Sequence, residues 1–179
     1  MPRPCFKNKQ KKLQEIIMVN HAGEYGAQRI YEGQLAYTKD AEQKVLIKEM
    51  LEQELEHLYY FEQQIQAGNG RPTALTPLWK ISGYVLGALS SWLGPKTAML
   101  VTESVEEIIV DHYQEQIDYL EKNDPKNYLL KKIKKFKQDE ANHIHIAISN
   151  ASNDAQFHGF LSNLVRCICL SAIFISKKI

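Results

Sequence analysis

Apolar residues recur along most of this chain at intervals of three and four, the spacing that gathers them on one face of a helix, and the period-2 alternation of a half-buried strand is missing. The pattern predicts an all-α protein. A first helix covers about residues 10–37, and Asp40 stands where a side-chain oxygen accepts from the orphan N–H groups of a second helix that reaches Ala67. Gly68, Gly70 and Pro72 end it, because glycine accepts left-handed dihedrals and proline cannot continue the hydrogen-bond ladder. A mostly apolar segment, residues 75–93, is closed by Gly94-Pro95, and a fourth helix continues to about Glu121. Asp124-Pro125 then offers an N-cap and an N1 proline for a fifth helix to about Asn150, and residues 150–154 read as a loop before a second apolar segment, residues 157–176.

The first, second, fourth and fifth helices have the length and the apolar stripe of bundle members. On the second, Ile47, Leu51, Glu54, Leu58, Phe61 and Ile65 share a face, and Met99, Glu106, Tyr113, Ile117 and Leu120 do so on the fourth. Each stripe contains a glutamate, and an ionised carboxylate facing a core is costly unless it is paired or bound to metal.

Two of the six histidines, His57 and His143, follow a glutamate by three residues, at Glu54 and Glu140. One such pair on a charged helix marks only a solvated face. Here each pair is preceded one helix earlier by another inward glutamate, Glu24 and Glu106, so a helix pair is repeated in the chain. Glu followed by Glu-x-x-His, twice over in four helices, is the ligand set of ferritin-like di-iron and di-manganese carboxylate bundles. Four carboxylates balance two divalent ions, two of them can bridge the pair, and each ion takes one imidazole with positions left open for O2. Without metal the carboxylates repel one another and take up protons. The expected fold is therefore an all-α, ferritin-like four-helix bundle with two additional apolar, interfacial helices, the whole of residues 1–179 forming one domain. Among the other candidates, His21 lies one turn before Glu24 and reads as a hydrogen-bonding or capping group rather than a further ligand. Glu103 and Glu107 fall off the phase that Met99 and Tyr113 set for Glu106, Asp139 reads as a solvated neighbour of Glu140, and His145 and His158 read as surface groups.

Charge narrows the function: 22 basic against 21 acidic residues give a net charge of +1, which argues against a nucleic-acid partner. Cys5, Cys167 and Cys169 are odd in number and form no C-x-x-C, so neither a disulfide framework nor a structural zinc site is expected, and a reducing compartment fits. Residues 1–12 are basic and lack an apolar core, so no signal or transit peptide is expected.

The run Val19-Asn20-His21-Ala22-Gly23-Glu24-Tyr25-Gly26-Ala27-Gln28-Arg29-Ile30-Tyr31 closely resembles the signature of demethoxyubiquinone hydroxylases, the di-iron monooxygenases of ubiquinone biosynthesis. Val105-Glu106-Glu107-Ile108-Ile109-Val110-Asp111-His112-Tyr113 resembles the same family, and the likeness covers nearly the whole chain. Carried over position by position, the resemblance implies that Glu24, Glu54, His57, Glu106, Glu140 and His143 hold two irons, the set already reached from spacing. It also implies a supporting role in proton or electron transfer for His112 and Tyr113, although a core tyrosine needs a hydrogen-bond partner in any case. The implied reaction is O2-dependent hydroxylation of the benzoquinone ring of demethoxyubiquinone, with electrons from reduced nicotinamide or from the quinol. No Gly-rich dinucleotide loop follows a strand, so a nicotinamide contact would be unconventional. The alternatives are a membrane-bound di-iron quinol oxidase and an iron-binding or storage bundle.

A polyprenyl quinone is dissolved in the bilayer, which gives the two apolar segments a purpose. Residues 75–93 contain Pro77, Lys80, Gly83 and Gly87, and residues 157–176 contain Asn163 and Arg166, so neither is a clean spanning helix and both are expected to lie at the interface. The resemblance places the chain peripherally on the cytoplasmic face of a bacterial inner membrane, or the matrix face of the mitochondrial one. It also implies a homo-oligomer or other ubiquinone-biosynthesis proteins as partners. Lys131, Lys132, Lys134, Lys135 and Lys137 read as a solvated face, with anionic-lipid contact the alternative.

Overall fold

The helix breaks fall where the backbone chemistry requires them. In the computed structural model, which describes residues 4–150 and 158–177, the helices are α1 (Pro4–Tyr37), α2 (Ala41–Gln66), α3 (Thr76–Trp92), α4 (Pro95–Asn123), α5 (Tyr128–Asn150) and α6 (His158–Ser176). No strand occurs among the described residues. The Asp40 carboxylate accepts from the Gln43 N–H at 3.0 Å to start α2, while Gly68 and Gly94 take positive φ of 78° and 121° at the ends of α2 and α3. One expected boundary is corrected. Asp124-Pro125 does not begin α5: the Asp124 N–H, donated to the Leu120 carbonyl at 2.7 Å, closes α4, and the Asp124 carbonyl and carboxylate accept from the Asn127 N–H at 2.9 Å and side-chain amide at 2.8 Å in a turn that precedes α5. Asn127 takes over instead, its side-chain oxygen accepting from the Leu129 N–H at 3.0 Å. The expected loop over residues 151–154, and Phe157, lie outside the described residues.

The three-residue connection at 38–40 makes α1 and α2 an antiparallel hairpin, and α4 and α5 form a second. The hairpins meet head to tail: Asn20 pairs with Gln116, Tyr31 with Glu106 and Gln34 with the Ala98 carbonyl, partners that run in opposite directions along α1 and α4. α3 lies parallel to α1 on its outer side and α6 parallel to α4, through Ser162 on Ser104 and Arg166 on Glu107 at 2.5 Å. Two three-helix units thus face each other about an approximate twofold axis. α1 and α3 approach closely enough that a Cβ on Gly87 would stand 1.9 Å from the Ile30 carbonyl oxygen and one on Gly33 2.2 Å from that of Tyr84. This explains the glycines that interrupt the first apolar segment.

Ile47 and Ile133 occupy equivalent, fully buried places in the two units, whereas Phe61 and Phe136 on one side face Met50 and Ala147 on the other. Ile109 packs against all three apolar clusters of the core. The outer faces of α3 and α6 are apolar and exposed, with Leu78, Ile81, Val85, Leu89 and Trp92 along α3 and Phe160, Leu164, Ile168 and Phe174 along α6. Of these helices α6, with a mean hydropathy of 1.7 over its apolar window, is long and apolar enough to cross a bilayer by length and composition. Four lysines of α5 are engaged within the protein: Lys134 meets Glu121 at 2.6 Å, Lys135 meets Asp139 at 3.5 Å, Lys137 donates to Gln114, and Lys132 lies over the Tyr60 and Phe136 rings.

Candidate metal centre

Four helices each turn a carboxylate into the centre of the bundle, and α2 and α5 add an imidazole one turn further on. Glu24, Glu54, His57, Glu106, Glu140 and His143 are all at most 1% exposed. Their ligand atoms form two overlapping groups, Glu24–Glu54–His57–Glu140 and Glu54–Glu106–Glu140–His143, within each of which all the ligand atoms lie within 4.8 Å of one another. Glu54 and Glu140 belong to both, which is the position of bridging carboxylates. The sequence-predicted ligand residues are thus brought together without exception.

The donor atoms converge on two common spaces. His57 Nδ1 stands 2.9 Å from Glu140 Oε1 and 3.5 Å from Glu24 Oε2, and His143 Nδ1 stands 2.8 Å from Glu140 Oε2 and 3.3 Å from Glu54 Oε1. Even so, both Nδ1 atoms, both oxygens of Glu54 and Glu140, and one oxygen each of Glu24 and Glu106 are buried without a hydrogen-bond partner. Orphaned lone pairs at this density are costly in a protein interior, and cations in the two spaces would satisfy them. The donor set of hard oxygens and two imidazoles suits a pair of divalent first-row ions.

The electrostatics of the ion-free cluster agree. Burial, reinforced by Glu140, Glu106 and Glu24, raises the Glu54 carboxyl well above its ordinary range, and burial with Glu140 does the same to Glu106. Burial alone would lower His57, but the carboxylates of Glu140 and Glu24 override it and push the imidazole up to about 11. Burial would likewise raise Glu140, yet His143 and His57 bring it down to about 2. Protons hold the places where divalent ions would neutralise the charge.

Around the ligands stands a ring of orienting contacts, each crossing from one hairpin to the other. Tyr113 of α4 donates to Glu24 of α1, and Tyr31 of α1 donates to Glu106 of α4 at 2.5 Å. Burial, with Glu24 beside Tyr113 and Glu106 beside Tyr31, raises both phenols well above their usual value and keeps them as donors. His57 Nε2 meets Asp139 Oδ2 at 3.2 Å, and His143 Nε2 meets Gln53 Oε1 at 2.9 Å. Asp139 is therefore not the solvated neighbour expected from its helical phase: its carboxylate is 21% exposed and bound to a ligand histidine of the opposite hairpin. Tyr31, Gln53 and Asp139 were missed as orienting groups. Their signal was present, since Tyr31 follows Glu24 by the seven residues that separate Tyr113 from Glu106, and Gln53 and Asp139 each precede the glutamate of a Glu-x-x-His.

His112 does not join the cluster. It lies toward the surface, 3.6 Å from Glu115, and burial together with Lys177 lowers it to about 4. His21 is buried beside Tyr25 with Nδ1 unpartnered, Glu107 is held by Arg166, and His145 is exposed. On the side of α1 and α4 away from α2 and α5, an apolar groove of about 360 Å³ is roofed by α3 and α6. Gly23 and Val105, the neighbours of Glu24 and Glu106, line its floor, with Ile108 and Ile109, and Trp79, Leu86 and Ile168 line its roof.

The family model for ubiquinone biosynthesis protein COQ7 matches residues 11–176. A Dictyostelium discoideum protein named NADPH-dependent 3-demethoxyubiquinone 3-hydroxylase, mitochondrial, is 41% identical over 174 residues, covering 97% of this chain and 80% of its own. The Homo sapiens protein of the same name is 39% identical over 169 residues, 93% of this chain and 78% of its own. A Rhodospirillum rubrum protein named 3-demethoxyubiquinol 3-hydroxylase is 36% identical over 168 residues, again 93% of this chain and 78% of its own.

Proposed function

This chain belongs to the family of ubiquinone biosynthesis protein COQ7, and we propose from that premise that it hydroxylates the benzoquinone ring of demethoxyubiquinone with O2 at a di-iron centre. The observation that carries the reading is the pair of overlapping donor groups, sharing Glu54 and Glu140, beside an apolar groove. Glu24 with His57 would complete one ion's ligands and Glu106 with His143 the other's. Two ferrous ions bound there supply the electrons and open positions that activate O2.

The chain's own residues do the rest. Tyr113 and Tyr31 fix the two terminal carboxylates, and Asp139 and Gln53 fix the imidazole tautomers, with Nε2–H outward and Nδ1 free for metal. The groove admits a quinone ring between α1 and α4 and excludes bulk water from the reaction. The exposed apolar faces of α3 and α6 rest in the membrane interface, so that the tail of the substrate stays in lipid while its ring reaches the floor of the groove. Electrons come from a reduced nicotinamide, as the names of the Dictyostelium and human relatives state for those proteins. His112, neutral and near the surface on the residue next to Tyr113, is the proposed point of proton or electron delivery.

Reaction under 18O2 with mass analysis of the quinone decides the matter. One heavy oxygen in the new ring hydroxyl, with substrate consumed in step with O2, is the expected result. Catalytic O2 uptake that leaves the quinone unlabelled would replace the hydroxylase with a quinol oxidase, and iron uptake without turnover would leave an iron-binding bundle.

A further inference from the structure

The approximate twofold axis relates nearly every polar group around the ligands to a group of the same chemistry. Tyr113 on Glu24 answers Tyr31 on Glu106, and the glutamates and histidines correspond one to one. At one place the correspondence fails. Asp139 and Gln53 occupy the same position, one residue before the Glu-x-x-His glutamate, and each reaches the Nε2 of the opposite hairpin's histidine, yet one is a carboxylate and the other a carboxamide.

Resting on the metal centre proposed above, we propose that Asp139 and Gln53 are positioning residues that make the two metal subsites unequal, so that the first divalent ion settles in the Glu24–His57 half. Either acceptor fixes the same tautomer. Only the carboxylate adds a full negative charge behind the imidazole and makes it the stronger electron donor to a cation, an effect that commonly amounts to roughly 10–100-fold in affinity. Lys135 lies 3.5 Å from the same Asp139 oxygen, but its side chain is 55% exposed and the pair is screened by water, so it reduces this effect without cancelling it.

Stepwise binding alone proves nothing, because two adjacent cations repel and weaken the second step whatever the subsites. The test therefore locates the first ion. Metal-free, full-length protein with 15N-labelled histidine is titrated with Co2+, read by calorimetry and by the paramagnetically shifted ring N–H signals. At one equivalent the His57 signal is expected to carry the large contact shift of a coordinated imidazole, while the His143 signal shows only the smaller through-space shift until the second ion binds. D139N should weaken the first step about tenfold or more and spare the second; Q53E, which leaves Asp139 in place, should tighten the second, and D139N combined with Q53E should move the first ion to the His143 half. Equal shifts of both histidines at one equivalent, equal weakening of both steps by D139N, or no tightening by Q53E would overturn the proposal. Wild-type protein that takes up no Co2+ at all would overturn the metal centre itself.

Discussion

A buried glutamate with neither a cation nor a full set of donors is a liability, and this chain carries four of them. Replacing Glu54 or Glu140 by alanine removes a donor common to both groups, so each variant should lose both ions and essentially all hydroxylation, as iron analysis and product assay would show. Their ion-free stabilities should differ: Glu54→Ala removes a carboxyl that burial and its neighbours already hold protonated, whereas Glu140→Ala strips His57 and His143 of the carboxylate they share and should lower the urea midpoint more. His112 gives a prediction of its own. Its folded-state value of about 4 lies below the ordinary 6.5, so its contribution to stability is complete above pH 6.5 and is lost as pH falls toward 4. Urea midpoints compared at pH 7 and pH 4.5 should fall less for His112→Asn than for wild type, and an equal fall would refute the depressed value. The buried Glu/His cluster was legible from sequence because two independent periodicities, the stripe and the repeated pair, coincided on its six residues. Asp139 was not, because helical phase reports which side of its own helix a residue lies on and says nothing of a histidine arriving from another hairpin.

At the scale of the helix, α3 and α6 differ from the other elements in turning their large apolar side chains outward. Trp92 and Phe160 are 70% and 72% exposed. Contact of this kind is indifferent to ionic strength, so association with phospholipid vesicles should persist at about 1 M salt, where the Debye length is only about 3 Å. Trp92 and Leu93 replaced by aspartates should release the protein from vesicles and leave its iron spectrum unchanged; release of wild type by salt alone would transfer the contact to the lysines of α5. Four of those lysines are already occupied by Glu121, Asp139, Gln114 and aromatic rings. Sequence reading located these helices to within a few residues and misplaced the start of α5. Asp124 has the chemistry of an N-cap, but its carboxylate is engaged by the Asn127 side-chain amide, and Asn127 caps α5 in its place.

Over the whole molecule, the proposed metal centre lies where the two three-helix units meet, so ion binding there would be coupled to folding. A divalent ion at a hundred times its Kd should add about 2.7 kcal/mol to the unfolding free energy, seen as a rise in the thermal midpoint with Co2+ that Glu54→Ala abolishes. The crossed contacts have a consequence for how the protein is made. While only α1 to α3 have left the ribosome, Tyr31 has only the weak Met50 thioether to donate to, Glu24 has no phenol, His57 has no aspartate and Gln53 has no imidazole. The first half cannot finish its own interior. It waits, carrying unpaired charge toward a core that does not yet exist, until α4 and α5 are synthesised, and the nascent chain must be kept from aggregating for as long as that takes.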